Sequence, residues 1–216
     1  MPQLFPPAAD SLIRLALGLL VAAPFLGFAV LWGWERSDYA TGRGATVEQP
    51  VPFSHQHHVG ELGIDCRYCH ASVETSRFAG MPSTHVCMTC HSQIWTNAKM
   101  LAPVRASLTS GQPLQWNRVN QLPDYVYFDH SVHVAKGVPC VACHGRVHEM
   151  PLMRQAAPLT MGWCLSCHRD PNPNLVSPSF EFDTRLGETG DPLAEARKYV
   201  KHVTTAGLTD CSVCHR

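Results

Sequence analysis

The chain has 216 residues, 17 basic against 17 acidic side chains, and only 16% charged residues. That balance excludes a binder of nucleic acid driven by basic excess and a polybasic patch for anionic lipid. With 17 Pro and 15 Gly the composition suits a loop-rich globule rather than long regular helices, and ten Cys and thirteen His are the residues in excess.

The first predicted element is the segment from Leu15 to Trp34, LALGLLVAAPFLGFAVLWGW, which carries no charge. About 20 such residues cross the hydrocarbon core as a helix. Trp32 and Trp34 close it where an aromatic belt would meet the interface, and Pro24 lies mid-way as a kink that lipid-embedded helices tolerate. A cleaved secretory signal has a shorter apolar core, so residues 1–36 are expected to be an uncleaved signal-anchor and residues 37–216 the globular part. The flanking charges, Asp10 and Arg14 before and Glu35 and Arg36 after, leave positive-inside counting almost silent on orientation.

Every Cys after the anchor falls in a C-x-x-C-H motif: Cys66/Cys69/His70, Cys87/Cys90/His91, Cys140/Cys143/His144, Cys164/Cys167/His168 and Cys211/Cys214/His215. This is the signature of c-type haem attachment. Two thiols bind the haem vinyl groups as thioethers, and the histidine that follows becomes the proximal iron ligand. Zinc ribbons also use C-x-x-C pairs but do not require a His after each one. A disulfide framework would not put all ten Cys at one spacing, and a thioredoxin-like motif is excluded by number and by the lack of a βαβ pattern. Five covalently bound haems c are therefore expected. Because such attachment takes place outside the cytoplasm, the amino end is expected inside and the haem domain on the periplasmic, outer face of the cytoplasmic membrane.

The motifs recur as a pair, a pair and a single. Phe53-Ser-His55-Gln-His57-His58-Val59 precedes the first pair and Phe128-Asp-His130-Ser-Val-His133-Val134 the second, both reading F-x-H-x-x-H-V. Gly63 and Gly137 each stand three residues before the following Cys, and a weaker third copy holds His202, Gly207 and Cys211. An internal repeat sets the architecture before any fold is assigned. The modules are expected over residues 51–110, 126–170 and, in part, 192–216.

Two histidines three apart lie on one side of a helical turn and can reach two different irons. His55, His58, His130 and His133 are thus the candidate distal ligands, which with the five proximal histidines fill nine of ten axial positions. For the tenth, His202 fits the repeat, while Met150 and Met161 are thioether alternatives that would raise that haem's potential. His57, His85 and His148 fall outside the repeat and read as surface or supporting residues.

Between the motifs, Ser92–Ser107 is predicted to be one helix ending before a Gly111–Pro113 break. Asp191-Pro192 is a helix start with its cap and first-turn proline, running to about His202. Residues 171–191, rich in Pro and Gly, should be loop. No strand alternation is apparent. The fold class expected is mainly α and irregular: a single N-terminal transmembrane helix plus a multihaem c-type domain of repeated two-haem modules. Apolar side chains are too few for five separate cores, so haem must supply much of the buried surface.

The F-x-H-x-x-H stretch followed by paired motifs resembles the class III multihaem cytochromes. The stretches 53–70, 78–91, 128–150, 158–169 and 208–216, with the anchor helix, resemble more closely the pentahaem, membrane-anchored cytochrome c subunits of alternative complex III. That resemblance implies an electron relay in a complex that oxidises membrane quinol. Its partners would be an iron–sulfur subunit, polytopic quinol-binding subunits, another cytochrome c subunit and a soluble periplasmic carrier. It also implies that His55, His58, His130 and His133 are distal ligands. In this reading the chain is an electron carrier rather than an enzyme, since no iron is left open to substrate. The competing readings are a small multihaem quinol dehydrogenase feeding a periplasmic reductase, and a tethered shuttle.

Overall fold

The computed structural model describes residue 6, residues 8–186, residue 197 and residues 203–215. His202 and nearly all of the helix expected from Asp191 lie outside the described residues. The chain divides into two compact units, Met1–Gly42 and Arg43–Arg216.

The first unit is α1 (Ala8–Glu35), followed by the short α2 (Asp38–Thr41). At 1.5 Å per residue, the 28 residues of α1 extend about 42 Å, longer than the hydrocarbon core. Its mean hydropathy reaches 2.3 and none of its residues is buried, so its apolar surface faces outward all round, as a membrane-spanning helix requires. Charge gathers at its ends. Arg14 pairs with Asp10 at 2.9 Å, and the Arg36 guanidinium lies 4.0 Å from the Trp32 ring centre while donating to the Trp32 carbonyl. Ser37 caps α2, accepting from the Ala40 amide, and Gly42 ends it in the left-handed region.

The second unit is built from short helices joined by irregular chain. A π-helical turn spans Gln56–Glu61, and α3 (Cys66–Cys69), α4 (Thr84–His91) and α5 (Ala102–Ser110) follow. Next come α6 (His130–Ala135), α7 (Cys140–His144), α8 (Met161–Arg169) and α9 (Cys211–Cys214). Among the described residues there is no strand, only two isolated bridges, Thr46 with Arg154 and Val126 with His215.

The helix expected over Ser92–Ser107 is not continuous. The chain turns through residues 92–98, passes a 3₁₀ turn at Lys99–Leu101 and becomes α-helical only at Ala102. Trp95 has φ +53, which a continuing right-handed helix forbids. The expected stop at Gly111 does occur, with the glycine closing α5 at φ +70.

Protein-only packing is sparse. Val51, Leu101 and Val104 form one small cluster, with Cys87, Met88, Ala98, Leu114 and Trp116 against it. Val176 and Leu186 form another with Val141 and Phe180. Leu175 alone among the described side chains is a large group buried to below 2% exposure. A unit of this size normally buries a continuous apolar core; here the clusters are separate.

The two repeat glycines differ in what surrounds them. Gly63 and Gly137 both have positive φ, +69 and +82. Around Gly63 a Cβ would meet open space, whereas at Gly137 it would stand 2.3 Å from the Val176 carbonyl oxygen. Gly137 also exchanges a main-chain hydrogen bond with Val176, whose amide donates to the Gly137 carbonyl at 2.8 Å. Gly137→Ala is therefore expected to destabilise the chain by about 2–3 kcal/mol and Gly63→Ala by about 1 kcal/mol, read as the difference between their denaturant midpoints.

Candidate haem-binding sites

Each C-x-x-C pair sits on a single helical turn, where residues three apart share a face. In α3 the turn is set by Asp65, whose carboxylate accepts from the Arg67 amide and also holds the Arg67 side chain. Arg67 in turn keeps the Asp65 carboxyl below the usual carboxylate range, chiefly through that side-chain hydrogen bond. In α8 the Thr160 hydroxyl accepts from the Trp163 amide. The motif histidines are the helix cap in α3 and α9, the last helical residue in α4 and α7, and the residue before last in α8.

The five motif histidines share one feature: Nδ1 is engaged. His70 Nδ1 donates to the Gly80 carbonyl at 2.7 Å, His91 to Ile94 at 3.3 Å, His168 to Leu208 at 2.8 Å and His215 to Tyr125 at 3.2 Å. His144 Nδ1 faces the Asn120 side-chain amide at 3.1 Å, while the buried Asn120 Oδ1 has no partner. Turning that amide over gives Nδ1–H an oxygen acceptor and leaves no orphan, so the flipped orientation is the consistent one. A carbonyl on Nδ1 fixes the tautomer in which Nε2 keeps its lone pair for a metal.

Three of the four repeated histidines behave alike, while the buried Nδ1 of the fourth, His55, has no hydrogen-bond partner among the described residues. His58 Nδ1 donates to the Ser54 carbonyl at 2.8 Å, and His133 Nδ1 to Asp129 at 2.7 Å, each four residues back. His130 Nδ1 reaches across to Arg77, in the first module, at 2.8 Å. Phe53 is edge-on to His55 and stacked on His58 at 4.8 and 4.3 Å; Phe128 repeats this on His130 and His133 at 4.8 and 4.4 Å. The repeated spacing of F-x-H-x-x-H thus corresponds to one clamp used twice: an aromatic ring that wedges two imidazoles apart.

Three of the four distal candidates stand opposite a motif histidine. Ring centres are 6.2 Å apart for His58 and His91, 6.3 Å for His130 and His144, and 6.2 Å for His133 and His168. Two imidazoles bound through Nε2 to one metal, with metal–nitrogen bonds of about 2.0 Å, would have ring centres roughly 6.3 Å apart. His55 lies near enough to His70 for the two to interact electrostatically. Burial holds His55 and His144 at a pKa of about 4, with neighbouring histidines adding to the effect. Burial also lowers His58 and His133. A neutral imidazole is the form a metal binds.

Several of the thiols are pushed towards the protonated form. Burial, then the neighbouring Cys167 and Cys164, pushes Cys143 up to about 11, and burial likewise raises Cys69, Cys87, Cys164 and Cys167. Beside Cys143 a cavity of about 310 Å³ opens, walled by Val141, Gly145, Ala157 and Trp163 with Arg43 at its edge. No group of three or more His, Cys, Asp or Glu converges as a zinc site would need, among the described residues. Paired imidazoles, sparse core and thiols on single turns all fit a haem and do not fit zinc.

The remaining candidates separate. Met150 is buried at 3% exposure, with its methyl group near Gly145, whereas Met161 is exposed at the start of α8. His57 bonds Glu61 at 2.7 Å and stacks on Trp95, and His85 is exposed. His148 is buried, its carbonyl pressed against Gly60. Asn120 and the acceptor carbonyls carry no signal in the sequence, because a main-chain oxygen has no residue identity.

Residues 126–216 match the family described as cytochrome c7 and related cytochrome c. Over 205 residues, 90% of each chain, the sequence is 35% identical to the multihaem cytochrome c subunit of menaquinone reductase from Nitratidesulfovibrio vulgaris. The chain belongs to the c7-related multihaem cytochromes c. As in that family it carries covalently bound haem c, on a mainly helical and irregular domain with one N-terminal apolar helix suited to anchoring it.

Because Asn120 faces Nδ1 of His144, a candidate proximal ligand, Asn120→Leu should leave haem content unchanged. It should raise the potential of one haem by about 40 mV, the one-electron equivalent of a hydrogen bond of ~1 kcal/mol, in a spectroelectrochemical titration.

Proposed function

We propose that the chain is a five-haem electron relay, anchored by α1, within a membrane complex that exchanges electrons with a quinone. The observation that carries this is the pairing of motif histidines with repeated histidines at bis-imidazole separation. An iron with both axial positions filled passes single electrons and offers no place for substrate. In this reading Cys66, Cys69, Cys87, Cys90, Cys140, Cys143, Cys164, Cys167, Cys211 and Cys214 attach the haems. His70, His91, His144, His168 and His215 are proximal ligands, and His55, His58, His130 and His133 distal ones. The tenth position stays among His202, Met150 and Met161.

Haem c supplies one-electron chemistry, while the chain attaches it, fixes the imidazoles by their Nδ1 bonds and spaces the sites. The complex we favour is alternative complex III. It would hold an iron–sulfur subunit, polytopic quinol-binding chains and a further cytochrome, and pass electrons from quinol to a periplasmic carrier. α1 would place the haem domain on the outer face. A second reading, a small quinol dehydrogenase, accounts for the anchor and the haems comparably well. The relative's role in a menaquinone reductase is a reason to test both directions of flow.

Purification in mild detergent, with identification of co-purifying chains and quinol-dependent haem reduction in the same sample, decides between them. The relay is expected to travel with iron–sulfur and polytopic chains and to be reduced by quinol only in that assembly. Reduction of the isolated chain by quinol would establish the dehydrogenase instead. In the purified chain, mass spectrometry should find five haems, and each double Cys→Ser change at one motif should remove one. His133→Ala should keep all five but turn one from low to high spin.

A further inference from the structure

The attachment turns do not adjoin one another in chain order. Tyr68, inside the first motif, hydrogen-bonds Thr89, inside the second, through their hydroxyls at 2.8 Å. On its other side the first motif meets the third. Cys66 Sγ lies 4.0 Å from the Phe182 carbonyl as a weak donor, and the Cys140 amide donates to the adjacent Glu181 carbonyl at 2.9 Å. One short segment therefore braces both cysteines. The loop beyond the first motif also receives α6: the His130 amide and ring bond Arg77, and the Ser131 amide bonds Ser76.

Helix α6 then joins the third motif to the fourth, since His130 faces His144 and His133 faces His168 within six residues. The fourth reaches the fifth through the bond of His168 to Leu208, three residues before Cys211. The cysteines at the two extremes of this succession, Cys90 of the second motif and Cys211 of the fifth, are the two classed as exposed; the other eight are partly covered.

We propose that the five attachment sites form one unbranched path in the order second, first, third, fourth, fifth, with the second and fifth motifs as its two ends. This rests on the five-haem reading above. Passage along it is a one-electron exchange between neighbours, the donor oxidised as the acceptor is reduced, with no bond made and no proton moved. Entry and exit to partners would then occur at the surfaces around Cys90 and Cys211, and not at the site nearest the start of the chain.

The test uses the full-length holoprotein in detergent. Its native cysteines are all consumed as thioethers, so one added cysteine carries a ruthenium polypyridyl label that injects electrons under light with a sacrificial amine donor. The label is placed at Ser92→Cys, beside the second motif, or at Thr209→Cys, beside the fifth; both positions are exposed. Each is combined with the pair Cys66→Ser and Cys69→Ser, which deletes the first site. With that site gone, injection at 92 should reduce one haem only, while injection at 209 reduces the other three, which also shows that the variant is folded. Reduction of all four from position 92 would overturn the order. A haem count other than five in the native chain would instead remove the reading on which it rests. Should the deletion variant fail to accumulate, a structure of the native holoprotein decides. The first-site ring between the second and third supports the path, and the second-site ring nearer to the third than the first-site ring is overturns it.

Discussion

The hydrogen bond from a histidine Nδ1 to a main-chain carbonyl is the interaction on which the rest of this molecule depends. Seven of the nine candidate ligand histidines make it: His58, His70, His91, His130, His133, His168 and His215. Each bond constrains the ring that makes it. It fixes the tautomer, fixes the ring plane and gives the carbonyl a partner, in some cases beside a main-chain amide. The scarcity of strands and long helices follows. Carbonyls serving imidazoles are not serving a ladder, and a haem domain with many histidines needs many such oxygens close at hand.

The same bond explains where helices stop. The segment after His91 has helical composition, yet it turns so that the Ile94 carbonyl comes back onto His91, and the turn sets Trp95 at positive φ. A local preference worth tenths of a kcal/mol per residue is overridden by the demand of one ring. At α6 the two demands agree: the carbonyl four residues back is what both the helix and His133 use, so a regular helix survives.

Much of this was legible in the sequence and some was not. The C-x-x-C-H turns, the anchor and the doubled F-x-H-x-x-H needed only spacing, because each is a local geometry with a fixed residue identity. The phenylalanine turned out to be as much a part of the motif as the histidines, wedged between them in both copies. What spacing could not reach was contact between distant segments. Asn120 lies 24 residues from His144 and Arg77 lies 53 from His130, and nothing in either residue type announces the meeting. The adjacency of first and third motifs is of the same kind.

The contact of His130 with Arg77 makes the two copies of the repeat unequal partners. His130 belongs to the second copy, but the oxygen that aims its ring belongs to the first. The two copies of the repeat are therefore interlocked rather than self-sufficient. The segment matching the c7 family, residues 126–216, accordingly lacks a piece of its own scaffold. Excision or transplantation of that segment would leave one imidazole without a guide, and any ancestral single module must have aimed that ring by another acceptor. The second copy is not a bead strung after the first but one fastened into its clasp.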